Sequence, residues 1–204
     1  MSQAVRRGAM TLGIAVVGVA LLPGYIRAYT ISGDSDAPAY VSGDRVVVNL
    51  AAYDFRIPYS NRVLTAFGDP RPGDMVLFRE HDGQLALKRV VAGSGVDVAM
   101  QNNHLVLDGR PLEYLPVSDQ ERFRNSRGML GTSLEIEQAD ERQVYVSYTP
   151  GLGAHGSFEP VQVPKDMYFL LGSNRDISAD SRTYGLIHRS QILGKVVGRA
   201  RTAG

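Results

Sequence analysis

Residues 73–91 read GDMVLFREHDGQLALKRVV, and this stretch decides the fold class. Two runs of strand composition, Met75–Arg79 and Leu85–Val91, lie on either side of the turn signal Asp82-Gly83. Period-2 alternation in the second run places Lys88 between two apolar side chains on one face of the strand. Burial there would disfavour a charged ammonium group, so an enclosed Lys88 is a candidate general base. The same pattern also fits an ordinary surface lysine whose stem packs along the strand.

Strand composition recurs on both sides of this stretch. The dipeptide Asp108-Gly109 lies between two apolar runs and is typical of a hairpin. No long helical periodicity follows residue 28, so the predicted fold is mainly β. Residues 113–164 are more polar and irregular, which indicates a subdomain inserted between two halves of one β core. The further predicted strands are Arg45–Leu50, Val96–Met100, His104–Leu107, Leu134–Glu137, Gln143–Tyr148, Tyr168–Leu171 and Lys195–Arg199.

The composition excludes several classes of function. The formal net charge of +1 over 204 residues argues against a general nucleic-acid binder, which needs a basic excess. The chain has no cysteine, so disulfides, thiolate metal sites and cysteine nucleophiles are excluded. None of the four histidines has a metal-ligand spacing. We therefore predict no metal and no cofactor.

The N-terminal region has the pattern of a membrane anchor. Gly8–Ile26 contains no charged residue and approaches the ~20 residues that span a bilayer core. Arg6 and Arg7 precede it, which favours a cytoplasmic N-terminus and an extracytoplasmic domain. The predicted organisation is a tail and anchor over residues 1–28, followed by a domain over residues 29–204. A cleavable signal peptide is the alternative, although Ile26 is bulky for a cleavage site after Ala28.

Two polar segments are candidates for the functional site. Residues 31–38 read ISGDSDAP and follow the predicted anchor, and residues 172–185 read GSNRDISADSRTYG and follow an apolar strand. Dense polar side chains on a loop that leaves a core strand favour a structured site. The alternative for the second segment is a surface loop held by an Asp180–Arg182 ion pair.

Together these segments resemble type I signal peptidases, which are membrane-anchored serine proteases with a Ser/Lys dyad. The family's nucleophile motif, P-S-x-S-M-x-P-T, has the spacing of residues 32–39, with Ser35 at the nucleophile. Its G-D-x-V-x-F and K-R-V-V motifs are similar to residues 73–78 and 88–91. Its late motif, G-D-N-R-x-x-S-x-D-S-R-x-x-G, is similar to residues 172–185, with Ser173 in place of the first aspartate. The resemblance covers the anchor, residues 29–110 and residues 165–200.

The resemblance implies roles for individual residues. Ser35 would be the nucleophile and Lys88 the general base, with Ser178 holding the lysine amine by a hydrogen bond. Asp180 and Arg182 would brace the site, which the late motif enters at Gly172.

Two departures of the nucleophile segment from the family pattern bear on the chemistry. Gly33 stands where the family has a serine whose hydroxyl helps to bind the oxyanion, and Ser32 is a possible substitute. Asp36 stands where the family has methionine, and Asp34 precedes Ser35. Carboxylates beside a developing oxyanion oppose the electrostatic stabilisation that this step needs.

The resemblance also implies the substrates and the location. We expect a signal-peptidase-like β core in the cytoplasmic membrane that removes signal peptides from exported preproteins. Its partners would be the lipid bilayer and preproteins with small residues before the cleavage site. Two alternatives stay open: an inactive membrane-tethered relative that binds export substrates or partners, and another serine hydrolase or interaction module.

Overall fold

The computed structural model describes residues 24–57, 60, 62–119, 132–139, 142–149 and 156–200. Within these ranges the chain is mainly β, which confirms the predicted fold class. A short helix, α1 (Ser181–Tyr184), and a 3-10 turn, Arg189–Gln191, are the described helical elements that have full bounds. The strands are β1 Ile26–Thr30, β2 Arg45–Asn49, β3 Asp54–Arg56, β4 Val63–Ala66, β5 Met75–Arg79, β6 Leu85–Ala92, β7 Asp97–Gln101, β8 His104–Leu107, β9 Arg110–Pro111, β10 Glu113–Pro116, β11 Ser133–Ala139, β12 Arg142–Tyr148, β13 Phe158–Gln162, β14 Met167–Leu171, β15 Ile187–His188 and β16 Ile192–Arg199.

A seven-stranded antiparallel sheet forms the centre of the described fold. Its order is β1-β2-β16-β5-β6-β14-β15. The hairpin of β5 and β6 pairs Val76 with Lys88 and Leu77 with Leu87. Strand β16 lies between β2 and β5 and pairs with both.

Both faces of β5 are buried, because its side chains alternate between two hydrophobic clusters. Val76 and Phe78 pack in one cluster with Leu170 of β14. Met75 and Leu77 pack in another cluster, which also holds residues of β2. A strand covered on both faces reads as a continuous apolar run, which explains the sequence MVLF.

Three smaller sheets accompany the central one. They have the orders β10-β11-β12, β13-β7-β8-β9 and β3-β4. The predicted hairpin at Asp108-Gly109 is confirmed, because Leu107 pairs with Arg110 across it. Both turn residues have positive φ, 50° and 73°, as a tight two-residue hairpin requires.

The predicted insertion contains strands from two different sheets. Strands β10, β11 and β12 form a sheet of their own, whereas β13 pairs with β7. The predicted strands Leu134–Glu137 and Gln143–Tyr148 lie within β11 and β12, whereas β10 and β13 were not predicted. Residues 120–131, 140–141 and 150–155 of this region lie outside the described residues.

The predicted membrane segment falls almost entirely on residues that the structure does not describe. Only residues 24–26 of it are described, and Ile26 already begins β1. In the described part of the chain, no helix has the length and apolar character needed to cross a bilayer.

Candidate active site

Ser35 lies on a compact loop that joins β1 to β2. The ends of the loop are held together by the bond from the Ile31 amide to the Asp44 carbonyl at 2.8 Å. The side chain of Asp34 accepts the amide of Ser42 across the loop, also at 2.8 Å. Asp34 is exposed and bound to its own loop, while Ser35 is half-buried. The Asp34 carboxylate therefore stabilises the loop by this hydrogen bond.

The structure brings Ser35 and Lys88 together, although 53 positions separate them in the chain. Lys88 Nζ donates to Ser35 Oγ at 2.6 Å. The lysine lies in the middle of β6 and is only 3% exposed. The strand position fixes its stem, so the amine has little freedom to leave the serine. This is the geometry that a nucleophile and its base need.

Asp36 is the residue of the site whose role the sequence did not predict. Its side chain is buried, and its Oδ2 accepts from Lys88 Nζ at 3.2 Å and from Ser35 Oγ at 3.3 Å. Its other oxygen, Oδ1, is buried and has no hydrogen-bond partner among the residues that the structure describes. Burial raises the pKa of Asp36 above its ordinary value, against the opposing charge and hydrogen bond of Lys88. A buried carboxylate is therefore in contact with both Ser35 and Lys88.

Asp180 is the structural centre of the loop over residues 172–185. It is fully buried, caps α1 and accepts from Arg182 Nε at 2.9 Å and Nη2 at 2.8 Å. It also accepts the Gly172 amide at 3.0 Å. Burial opposes its ionisation, but the hydrogen bonds and charge of Arg182 hold the pKa of Asp180 below its ordinary value. The Asp180–Arg182 pair is buried and is not a feature of an exposed loop.

This late loop contacts the nucleophile loop directly. The Asn174 amide donates to the Ser35 carbonyl at 3.0 Å. A side chain on Gly172 would collide with that carbonyl and with Ser178, so glycine allows the close approach. Ser178 Oγ contacts the Ala179 carbonyl at 3.5 Å, and the predicted bond from Ser178 to Lys88 is not among the hydrogen bonds of the described residues.

Strand β12 of the predicted insertion supports both loops. Ser147 Oγ donates to the Ala37 carbonyl at 2.8 Å, and the Ser147 amide donates to the Ser173 carbonyl at 2.9 Å. A buried ion pair at 2.5 Å joins Arg175 of the late loop to Glu137 of β11. The insertion therefore holds the site together, which no motif in the sequence indicated.

A groove of about 370 Å³ opens beside the dyad. Of β6, only Arg89, Val90 and Ala92 are aligned with β14, so residues 85–88 have no strand beside them on that side among the described residues. The exposed residues Ser32 and Gly33 lie at the groove, next to Ser35. The Ser35 amide makes no hydrogen bond within the described chain.

A larger cavity of about 490 Å³ is lined by Arg89 and not by Lys88 or Ser35. We place the chemistry in the smaller groove, because that groove contains the hydrogen-bonded serine and lysine. Among the described residues, no three His, Asp or Glu side chains group as metal ligands.

Comparisons with known proteins agree with these motifs. Residues 3–200 match the family described as signal peptidase, peptidase S26. Signal peptidase IB of Staphylococcus aureus (strain COL) is 29% identical over 173 residues, which cover 84% of this chain and 75% of that protein. Signal peptidase I P of Bacillus subtilis subsp. natto is 25% identical over 190 residues, covering 89% and 80%. A crystal structure of a signal peptidase I from Enterococcus faecalis V583 aligns with a TM-score of 0.40 and 20% identity, covering 65% of this chain and 100% of that one.

Proposed function

This chain belongs to the signal peptidase family, peptidase S26, and we propose that it removes signal peptides from exported preproteins with Ser35 as nucleophile and Lys88 as general base. One observation carries the assignment of the dyad: the 2.6 Å contact between Ser35 Oγ and Nζ of the buried Lys88. The reaction class, a serine endopeptidase, follows from the family.

The reaction begins when Lys88 is in its neutral form. The Ser35 O–H bond breaks as the proton passes to Lys88 Nζ, and Oγ bonds to the scissile carbonyl carbon while an electron pair moves onto the carbonyl oxygen. When that pair returns, the C–N bond breaks and Lys88 gives its proton to the leaving amine. Water then attacks the acyl carbon while Lys88 takes its proton. The bond between that carbon and Ser35 Oγ breaks, and Lys88 returns the proton to Oγ, which frees Ser35 and restores neutral Lys88.

The oxyanion needs two donors. The Ser35 amide is one, because it is unbonded within the described chain and adjacent to the nucleophile. Gly33 supplies no hydroxyl, so the second donor is the exposed hydroxyl of Ser32 or a backbone amide of the same loop. Such donors typically contribute 100–1,000-fold each.

The groove favours an extended substrate with small side chains. Residues 85–88 of β6 offer an unpaired strand edge, to which a substrate strand can add its own backbone hydrogen bonds. Ala86 and Ala179 form small apolar walls of the groove, which Thr30, Ser32 and Glu80 also line. These walls support cleavage after small residues of the Ala-X-Ala kind.

The location is part of the same proposal. Residues 8–26 would anchor the enzyme in the cytoplasmic membrane, with the N-terminus inside and residues 29–204 outside. The active site would then lie at the outer membrane surface, where cleavage sites of preproteins emerge.

The deciding experiment is cleavage of a preprotein by the full-length, detergent-solubilised chain. We expect cleavage after a small-X-small site by the wild type, and a fall to background, up to about a million-fold, in Ser35→Ala and Lys88→Met. The matched controls are Ser42→Ala, an exposed serine of the same loop, and Lys165→Met, an exposed lysine, which should both cleave normally. Wild-type protein that binds the preprotein without cleaving it would support an inactive relative. Equal cleavage by Ser35→Ala would remove Ser35 as nucleophile.

A further inference from the structure

Three polar side chains, those of Ser35, Asp36 and Lys88, are in mutual contact, where the family motif provides only the serine and the lysine. Asp36 Oδ2 lies 3.2 Å from Lys88 Nζ and 3.3 Å from Ser35 Oγ, and those two atoms are 2.6 Å apart. Asp36 and Lys88 are each only 3% exposed. The methionine of the motif would bring no charge to this place, so the aspartate adds an anion in contact with the amine.

The Asp36 carboxylate depends on Lys88 for compensation. Its Oδ1 has no hydrogen-bond partner, and its Oδ2 has Lys88 as its only cationic contact among the described residues. If Lys88 loses its proton while Asp36 stays ionised, a buried carboxylate is left without a cationic partner, and the Ser35 hydroxyl at 3.3 Å does not neutralise its charge, which is strongly unfavourable. The pair therefore resists losing the single proton that it holds between the two groups.

The other charged or titratable groups around Asp36 do not replace Lys88. Arg89, the next residue of β6, acts on Asp36 through space, but its guanidinium bonds the Gly73 carbonyl at 3.1 Å. Tyr184 of α1 feels the negative charge of Asp36, and burial together with nearby carboxylates raises the pKa of Tyr184, so it stays neutral. Glu80 lines the same groove and adds only a further negative charge.

We propose that Asp36 is a positioning residue that keeps a proton on the Asp36–Lys88 pair and so sets the pH above which the dyad can turn over. The proposal rests on the proposed function. Because Lys88 must be neutral to accept the Ser35 proton, a carboxylate that retains the proton moves the acid limb of activity to higher pH. An opposite charge within ~4–6 Å shifts a titration by about 1–3 pH units.

The first test is the pH dependence of kcat/KM for Asp36→Asn and Asp36→Met in the full-length chain. Asn keeps the shape of the side chain, and Met restores the residue of the family motif. In both we expect the acid limb to move to lower pH by about 1–3 units, so that they cleave about tenfold or more faster than the wild type at a pH below its limb. The control is Asp34→Asn, which removes an exposed carboxylate of the same loop and should leave the limb in place.

The second test does not depend on turnover. The chain has three lysines, Lys88, Lys165 and Lys195, so carbon-13 labelling of lysine gives three side-chain resonances. The Lys88 signal, assigned by its loss in Lys88→Met, should titrate about 1–3 pH units lower in Asp36→Asn than in the wild type. An unchanged midpoint in a folded variant would overturn the proposal. Cleavage that is absent, or that is insensitive to Ser35→Ala, would instead overturn the proposed function.

Discussion

Gly172 lies where the loop over residues 172–185 meets the loop that carries Ser35. Substituting Gly172 tests how closely these two loops approach each other. A Cβ built at this position would lie 2.6 Å from Ser178 Cβ and closer still to Ser178 Oγ and the Ser35 carbonyl oxygen. The Ser35 carbonyl is backbone, so a rotamer change cannot relieve the collision. Gly172→Ala must therefore move the nucleophile loop away from the late loop.

The size of the effect follows from the displacement. Carbon atoms in contact sit ~3.5–4.0 Å apart, so the loops must separate by about 1 Å. A misplacement of that size costs about 100-fold in turnover. Overpacking of this kind costs about 1–3 kcal/mol of the free energy of unfolding.

The assay measures turnover and denaturant unfolding of Gly172→Ala beside Gly198→Ala. No atom lies within 4 Å of a Cβ at Gly198, which is exposed on β16, so that control should stay within about 0.5 kcal/mol of the wild type and keep its turnover. Wild-type turnover and stability in Gly172→Ala would refute the close contact between the two loops.

Three further substitutions test other parts of the site. A serine fits at Gly33, where no atom lies within 4 Å of a Cβ. If the site lacks a hydroxyl donor to the oxyanion there, Gly33→Ser should raise kcat by up to about 100-fold. An unchanged kcat would mean that another donor already binds the oxyanion. The pKa of Asp180 is lowered in the folded protein, because the hydrogen bonds and charge of Arg182 outweigh the burial that opposes ionisation. The ionised Asp180 therefore stabilises the fold fully above its unfolded-state pKa of about 3.9. This stabilisation is lost as the pH falls through the folded-state pKa. Asp180→Asn should lack this acid-dependent loss in denaturant unfolding, while a curve that parallels the wild type below pH 4 would contradict the assignment. Arg175→Ala leaves the buried Glu137 without its ion-pair partner, although Tyr114 still donates a hydrogen bond to it. The substitution should cost about 3–5 kcal/mol, measured by urea unfolding, whereas replacing both Arg175 and Glu137 by methionine should recover most of that loss.

The strands were predictable where the sequence pattern is local. Met75–Arg79 and His104–Leu107 were predicted with the observed bounds, and Tyr168–Leu171 missed one residue of β14. Each is an apolar run bounded by turn residues, so its own composition identifies it. The hairpin at Asp108-Gly109 was predictable for the same reason, because its turn needs residues that tolerate positive φ.

Other strands depend on partners that the sequence does not name. Strand β13, Phe158–Gln162, contains Pro160 and is mostly exposed, and it is ordered by its pairing with β7. Strand β1 begins at Ile26, the last residue of the predicted membrane segment, and is defined by its pairing with β2. Pairing between distant segments overrides local propensity in both places.

The candidate site, too, was predictable only where a motif identifies its residues. Ser35 and Lys88 were predicted from motif resemblance, and the described structure brings them within 2.6 Å. Asp36 was expected to oppose the chemistry as a charge beside the oxyanion, but it is buried in contact with Lys88, which supports its proposed role as a positioning residue. The bond from Ser147 to the nucleophile loop spans 110 positions and has no local signature.

Strand β16 limits when the active site can assemble during synthesis. It is the last strand of the described chain, and it fills the gap between β2, which follows the nucleophile loop, and β5, whose hairpin partner carries the lysine. A nascent chain that stops before residue 192 already contains both reacting side chains, but it lacks the strand that joins the parts bearing them. We therefore expect proteolytic competence only once residues 192–199 have been synthesised and have entered the sheet.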